Sequence, residues 1–195
     1  MAKDWTGSGK GVIRQLGASN HSSEEREAHD YYATSPHTID DLMKVQTFSK
    51  YIWECASGGG HLVKALKKNN KWVFSTDIIN RGAQDQIIDF LKTDIHFNGD
   101  IITNPPYKYV DEFILKALDV INEGNKVAFF LKLTTLEGQK RYNRVYKKYP
   151  PRYIYVYSKR QQCAKNGEFK GVSAVAYAWY IWVKGDYSTT EVKWL

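Results

Sequence analysis

A chain of 195 residues with 43% hydrophobic content has the size and apolar supply of one compact domain, since domains commonly run to roughly 100–200 residues. Two cysteines, Cys55 and Cys163, are too few for a disulfide framework and no Cys/His spacing of the zinc type accompanies them; with no signal-peptide-like start and no apolar run of the ~18 residues a membrane span needs, a cytoplasmic protein is expected. The net charge of +7 is unevenly spread: residues 1–50 carry 6 basic and 7 acidic side chains, residues 51–125 carry 8 and 10, and residues 126–195 carry 14 and 4. Such a C-terminal excess suits a face that meets a polyanion, although a merely solvated basic surface accounts for charge alone equally well.

Residues 1–30 are rich in Gly, Ser and charge and read as an extended arm. Thr38 to Val45 opens an amphipathic helix expected to reach about Lys50. Strands are expected near 51–55 (YIWEC), 72–76 (WVFST), 100–103 (DIIT) and 126–133 (KVAFFLKL), then as a closing pair at 152–158 and 176–184. Helices are expected in the gaps, near 61–69, 84–92, 111–122 and 137–148. Unbroken apolar strands alternating with helices imply an α/β fold: a mostly parallel twisted sheet with helices on both faces. The last two strands have no helix between them, so they must form a C-terminal antiparallel hairpin.

Ligands of doubly wound sheets bind outside the carboxyl ends of the strands. After the first strand of the sheet comes Glu54-Cys55-Ala56-Ser57-Gly58-Gly59-Gly60-His61-Leu62, a glycine-rich turn opening a helix. It is not a dinucleotide fingerprint, because with Gly58 and Gly60 as the first two glycines the third position falls on Val63. A tight structural turn explains the glycines as well as a ligand does. The next strand ends at Asp77, followed by Ile78; an acid there can accept hydrogen bonds from both hydroxyls of a ribose, or cap the next segment. Together the turn and the acid describe a nucleoside pocket with no basic residue to hold a phosphate.

The strand at 100–103 runs into Asn104-Pro105-Pro106-Tyr107. Proline has no N–H and is excluded from a sheet ladder, so this tetrad is a rigid turn at the strand's carboxyl end. The tetrad resembles the catalytic motif of S-adenosylmethionine-dependent methyltransferases that act on planar nitrogens, and the chemistry which that resemblance implies can be rebuilt from the residues: an aromatic amine is a poor nucleophile because its lone pair is delocalised into the ring. The side-chain oxygen of Asn104 and the carbonyl of Pro105 can each accept one amine hydrogen, drawing the nitrogen out of planarity, and the two prolines, Pro105 and Pro106, keep these dipoles from relaxing. Tyr107 offers a ring face on which a flipped base can stack.

Over roughly residues 15–195 the chain is similar to the small DNA adenine-N6 methyltransferases of phages and prophages. The resemblance implies a single Rossmann-like class I methyltransferase domain over residues 31–195, without a separate target-recognition domain. It implies S-adenosyl-L-methionine as cofactor, held by Tyr32, Thr34 and Pro36 over its methionine end, and by Glu54, Ala56, Ser57, Gly58, Gly60, His61 and Leu62 around the glycine turn. Asp77 and Ile78 would lie at its ribose, Asp89 and Phe90 beside its adenine, and Asn104 at its methyl group. Cys55 stands where that family usually has proline, and Ser57 where cysteine is frequent. Residues 133–141 and 178–185 also look like family sequence.

The implied partner is nucleic acid, DNA above all, in a bacterial or phage-infected host cell; a homodimer or a separate specificity subunit stays open. No insertion large enough for a recognition domain occurs, and the stretch Lys159 to Val175, with Lys159, Arg160, Lys165 and Lys170, reads either as a basic loop touching nucleic acid or as a connector. Trp179, Tyr180 and Trp182 read as core, and His61 as a helix-start residue. Asp94, His96 and Asp100 read as surface groups, since methyl transfer needs no metal. Two alternatives stay open: another enzyme of the same tetrad acting on RNA or a protein glutamine, and a non-catalytic nucleic-acid-binding protein on the same fold.

Overall fold

A computed structural model describes residues 32–161, 163–165 and 175–195; the arm expected at 1–30 lies outside them. The chain order is β1 (Tyr32–Thr34), α1 (His37–Val45), β2 (Tyr51–Glu54), α2 (His61–Lys68), β3 (Trp72–Asp77), β4 (Gln86–Ile87), β5 (Asp100–Thr103), α3 (Val110–Val120), β6 (Lys126–Lys132), α4 (Gln139–Arg141), β7 (Tyr153–Val156), β8 (Cys163–Lys165), β9 (Tyr177–Val183) and β10 (Glu191–Trp194).

One eight-stranded sheet has the order β10-β7-β9-β6-β5-β2-β3-β4, and β1 pairs with β8 in a separate two-stranded ribbon. The pairs from β4 to β6 are parallel, and β9 runs antiparallel to both β6 and β7. The fold is therefore the expected α/β sheet with an antiparallel hairpin at its C-terminal side.

The apolar strands owe their continuity to a core on both faces. Successive residues alternate between two clusters: Trp53, Ile101, Val127, Phe129, Tyr180 and Trp182 pack on one face, while Ile52, Ile102, Ala128, Phe130, Trp179 and Ile181 pack on the other. The three aromatic residues read as core are indeed fully buried, each such side chain contributing roughly 1.5–3 kcal/mol of transfer free energy. Helix α3 covers the first face through Phe113, Ile114, Ala117 and Leu118. Helices α1 and α2 cover the second through Ile39, Leu42, Leu62, Ala65 and Leu66, the three- and four-residue spacings that put side chains on one helical face. Asn70 ends the α2 unit in a left-handed turn, φ 59°, which asparagine tolerates better than most residues.

Four expectations need correction. Helix α1 stops at Val45, because Gln46 turns extended and its side chain donates to Tyr155 Oη. No helix forms at 84–92: Asp85 is fastened to Ser75 by the Ser75 N–H and hydroxyl, at 2.8 and 2.7 Å, and Gln86–Ile87 adds a short strand beside Thr76 and Asp77. The expected helix at 137–148 is one turn, Gln139–Arg141, continued by a π-helical turn, Tyr142–Tyr146. Asp100 is buried rather than on the surface, since its carboxylate accepts the N–H groups of Ser49 and Lys126 and the amide of Asn125; Asp94 and His96 are exposed.

Candidate active site

Strand order reverses between β2 and β5, which lie side by side. Their connections leave to opposite faces, so their carboxyl ends open a crevice, the usual ligand position of this architecture. Both sequence motifs sit there: the glycine turn follows β2, and the Asn-Pro-Pro-Tyr turn follows β5.

Glu54 closes β2 with no solvent exposure. One carboxyl oxygen accepts the Ala56 N–H at 3.1 Å and the Thr103 hydroxyl, which stitches the ends of β2 and β5 together. The other, Oε2, has no hydrogen-bond partner among the described residues. Burial pushes the Glu54 carboxyl up to about 8, against the weaker pull of the Thr103 and Ala56 hydrogen bonds, so it is largely protonated at neutral pH. Burial also pushes the neighbouring Cys55 thiol well up, which removes it as a nucleophile.

The turn itself takes two left-handed glycines, Gly58 with φ 52° and Gly60 with φ 74°. A Cβ on Gly60 would come 3.0 Å from Ala83 Cβ, so this glycine serves both backbone hand and close approach. The buried Ser57 hydroxyl also has no hydrogen-bond partner among the described residues. His61 starts α2, its imidazole half-buried and its pKa lowered by burial and then by Lys64; Leu62 is buried in the core.

Asp77 ends β3 next to the turn. Its two oxygens accept the Gly58 N–H at 2.8 Å and the Ile79 N–H at 2.9 Å. A carboxylate has about four acceptor sites, so two remain after these bonds. Ile78 is exposed, at 59%. Phe90 is core, packed edge-on against Trp53 at 5.2 Å between ring centroids. Asp89 is partly buried, accepts the Leu91 N–H at 3.1 Å and pairs with Lys92 at 3.1 Å.

Asn104 follows β5 directly. Its side-chain nitrogen donates to Thr34 Oγ1 at 2.9 Å, which fixes the amide's orientation with its oxygen on the opposite side. Pro105 is buried, Pro106 and Tyr107 are partly buried, and the Pro106 carbonyl accepts the Tyr109 N–H at 2.9 Å to start the next turn. The Lys132 ammonium stands 4.4 Å from the Tyr107 ring centroid, covering one face. Thr34 is buried and Pro36 exposed; the backbone of Tyr32 lies in β1, opposite Lys165.

The crevice thus gathers Thr34, Glu54, Ser57, Gly58, Asp77 and Asn104 at adjoining strand ends. Phe90 supports it from the core and Ile78 faces solvent. Lys159 and Arg160 are exposed, Lys165 is placed by its backbone alone, and Lys170 lies outside the described residues. Sequence reasoning missed Thr103 and Lys132. Thr103 had a signal, being the residue before the Asn-Pro-Pro-Tyr turn on a strand beside Glu54. Lys132 had only its position at the end of the next strand. Also missed was the β1–β8 ribbon, which needs a long-range pairing of two three-residue strands.

No protein-family model matches the chain, and no curated protein matches it in sequence. Solved structures do resemble it. One is a protein from Listeria monocytogenes assigned to the class I S-adenosylmethionine-dependent methyltransferases, with TM-score 0.58 and 13% identity over 95% of this chain and 70% of that one. Another is the type IIG restriction endonuclease BpuSI, with TM-score 0.60 and 13% identity over 87% of this chain and 27% of that one. A third is the methyltransferase subunit of a type I restriction-modification system from Streptococcus thermophilus, with TM-score 0.55 and 13% identity over 91% of this chain and 48% of that one. The chain spans about a quarter and half of the latter two. These likenesses show the fold: the open, mostly parallel α/β sheet of the Rossmann-like S-adenosylmethionine-dependent methyltransferases.

Proposed function

We propose that this chain is a methyltransferase that moves the methyl group of S-adenosyl-L-methionine to the exocyclic N6 amine of adenine in DNA. The observation that carries the reading is Asn104: a side-chain amide held by Thr34 at the carboxyl end of β5, followed by two prolines, in the crevice where the glycine turn and Asp77 converge. The type IIG restriction endonuclease and the type I restriction-modification methyltransferase subunit among the structural likenesses support DNA as the substrate.

The residues present fit the cofactor. Asp77 keeps acceptor capacity for two ribose hydroxyls beyond its bonds to Gly58 and Ile79. The buried Ser57 hydroxyl and Glu54 Oε2 are polar atoms without partners among the described residues, and such atoms are costly unless a ligand or water meets them. When bound, the cofactor supplies a methyl group on a positively charged sulfonium. Thr34 reaches the same crevice from β1 through its bond with Asn104, and Tyr32 and Pro36 flank it in sequence.

The protein's own contribution is orientation. The Asn104 oxygen and the Pro105 carbonyl accept the two amine hydrogens, which localises the lone pair on nitrogen and directs it at the methyl carbon. The C–N bond would form as the sulfonium C–S bond breaks, its electron pair staying on sulfur as a neutral thioether, and the positive charge would pass to nitrogen; these same dipoles face that developing charge, and the extra proton leaves to water afterwards. The base stacks against the Tyr107 ring, beside the Lys132 ammonium. Lys159, Arg160, Lys165 and Lys170 contribute the phosphate contacts.

Incubation with labelled S-adenosylmethionine and DNA, then digestion to nucleosides, tests this. Label in N6-methyladenine is expected. Label only in RNA or in a protein glutamine would move the substrate assignment, and no binding of S-adenosylmethionine would overturn the enzyme reading.

A further inference from the structure

The outer side of β10 carries a second kind of recognition. This strand is the last of the eight, paired only with β7 among the described residues. The Glu191 N–H donates to Arg152 O at 3.0 Å and the Leu195 N–H to Val156 O at 2.9 Å. Backbone groups alternate sides along a strand, so the N–H and C=O groups of Val192 and Trp194 point to the open edge. Their side chains continue the apolar face of Ile154 and Val156, their register partners, yet Val192 is 49% and Trp194 70% exposed.

The sequence of this edge is self-complementary. An antiparallel pairing of two copies centred on Val192 puts Val192 opposite Val192 as a pair exchanging two backbone hydrogen bonds. It also puts Glu191 opposite Lys193, and Lys193 opposite Glu191, at the closely spaced non-hydrogen-bonded positions. Both charges lie on one face. In the single chain Lys193 leans back on Glu191 Oε2 at 3.0 Å and over the Tyr153 ring at 4.6 Å, while Glu191 Oε1 pairs with Arg152 at 2.6 Å; Lys193 therefore need only turn outward to meet the second oxygen of the facing glutamate, whose first oxygen stays with Arg152. The opposite face then carries an unbroken apolar strip through Ile154 and Val192 of each copy. Any other antiparallel register loses the double charge match.

We infer that β10 is a self-association edge, through which two copies of this chain pair antiparallel about Val192 in a two-fold dimer. The inference stands independently of the catalytic reading, since β10 lies at the opposite end of the sheet half from the Asn104 crevice.

The test is sedimentation velocity across a concentration series. The wild-type chain is expected to show a weak monomer–dimer equilibrium. Lys193→Glu places two glutamates opposite two glutamates, and Glu191→Lys places two lysines opposite two lysines, so each variant alone is expected to raise the dissociation constant at least tenfold. An equimolar mixture of the two restores both charge matches and is expected to dimerise at least as tightly as the wild type. Val192→Pro removes an outward N–H that no described strand uses, so it should leave the fold intact by circular dichroism and abolish the dimer. A wild-type chain that stays monomeric at its highest soluble concentration, or a mixture that associates no better than its components, overturns the inference.

Discussion

Thr34 and Asn104 are 70 residues apart in sequence and joined by a 2.9 Å hydrogen bond from the asparagine amide to the threonine hydroxyl. The bond makes β1 part of the crevice: an amide free to flip would present nitrogen or oxygen to a substrate amine, and only oxygen accepts. Thr34→Val keeps the volume and removes the hydroxyl. It should lower kcat about 5–13-fold, the rate equivalent of one neutral hydrogen bond of ~1–1.5 kcal/mol, while Thr34→Ser retains most of the activity. Equal loss in both variants would show that threonine acts through packing alone.

Glu54 gives a pH dependence whose sign follows from burial. Its folded-state pKa of about 8 lies above the value of 4.5 for an exposed glutamate, so the native state holds its proton over the window between them. The contribution to stability is whole below about pH 4.5 and is lost progressively as pH rises towards 8. Glu54→Gln should therefore flatten the fall in unfolding free energy over that window. A positively charged ligand beside Glu54 favours the carboxylate, so S-adenosylmethionine affinity in the wild type should rise with pH up to about 8 and then level, with proton release seen by calorimetry in buffers of different ionisation enthalpy. A pH-independent affinity would place the carboxyl away from the ligand.

The parts of this site that were legible in the sequence are those fixed by local chemistry. The prolines after β5 and the glycines after β2 dictate turns by their own backbone limits, and alternating burial on two sheet faces makes Ile52-Trp53 or Phe129-Phe130 read as strands. What was not legible depends on partners remote in sequence. Asp85 would suit a helix start, but Ser75 captures its carboxylate. Asp100 looks like a surface acid until Ser49 and Lys126 supply their N–H groups. The three-residue strands β1 and β8 carry too little pattern to be seen without each other.

Asp77 should govern ligand affinity more than rate. If Asp77 accepts from both ribose hydroxyls as proposed, Asp77→Ala should weaken S-adenosylmethionine binding by on the order of 1–3 kcal/mol. The same change frees the Gly58 and Ile79 N–H groups, so thermal unfolding of the unliganded variant must be measured beside calorimetry. Asp77→Asn, which still accepts through its oxygen, should lie between. Unchanged affinity in the alanine variant would move the nucleoside elsewhere.

The basic C-terminal part should appear as salt dependence. If Lys159, Arg160, Lys165 and Lys170 touch phosphates, the slope of log affinity for DNA against log salt should shrink by about one for each side chain removed. A slope indifferent to all four substitutions would shift the contact surface, and the other basic stretch, 139–148, would be next to test.

Asn104 carries the sharpest test, because the role proposed for it lies in the transition state, where the amine nitrogen would become tetrahedral and positive. Asn104→Ala should lower kcat by roughly 10²–10³-fold, the usual loss for one preorganised hydrogen-bond partner, with S-adenosylmethionine affinity little changed. Asn104→Asp still accepts, and its carboxylate can take a hydrogen bond from the Thr34 hydroxyl where asparagine gave one, so it should keep more activity than alanine. In the Asn104→Ala background, which has no amide to orient, Thr34→Val should cost little, whereas it is costly in the wild type; the non-additivity measures the coupling directly. Tyr107→Ala should weaken base capture by about 1–3 kcal/mol, one aromatic–base stack, and Tyr107→Phe should be nearly silent. Wild-type turnover by Asn104→Ala would reduce the double-proline turn to a structural turn, and the chemistry would have to be sought at another strand end.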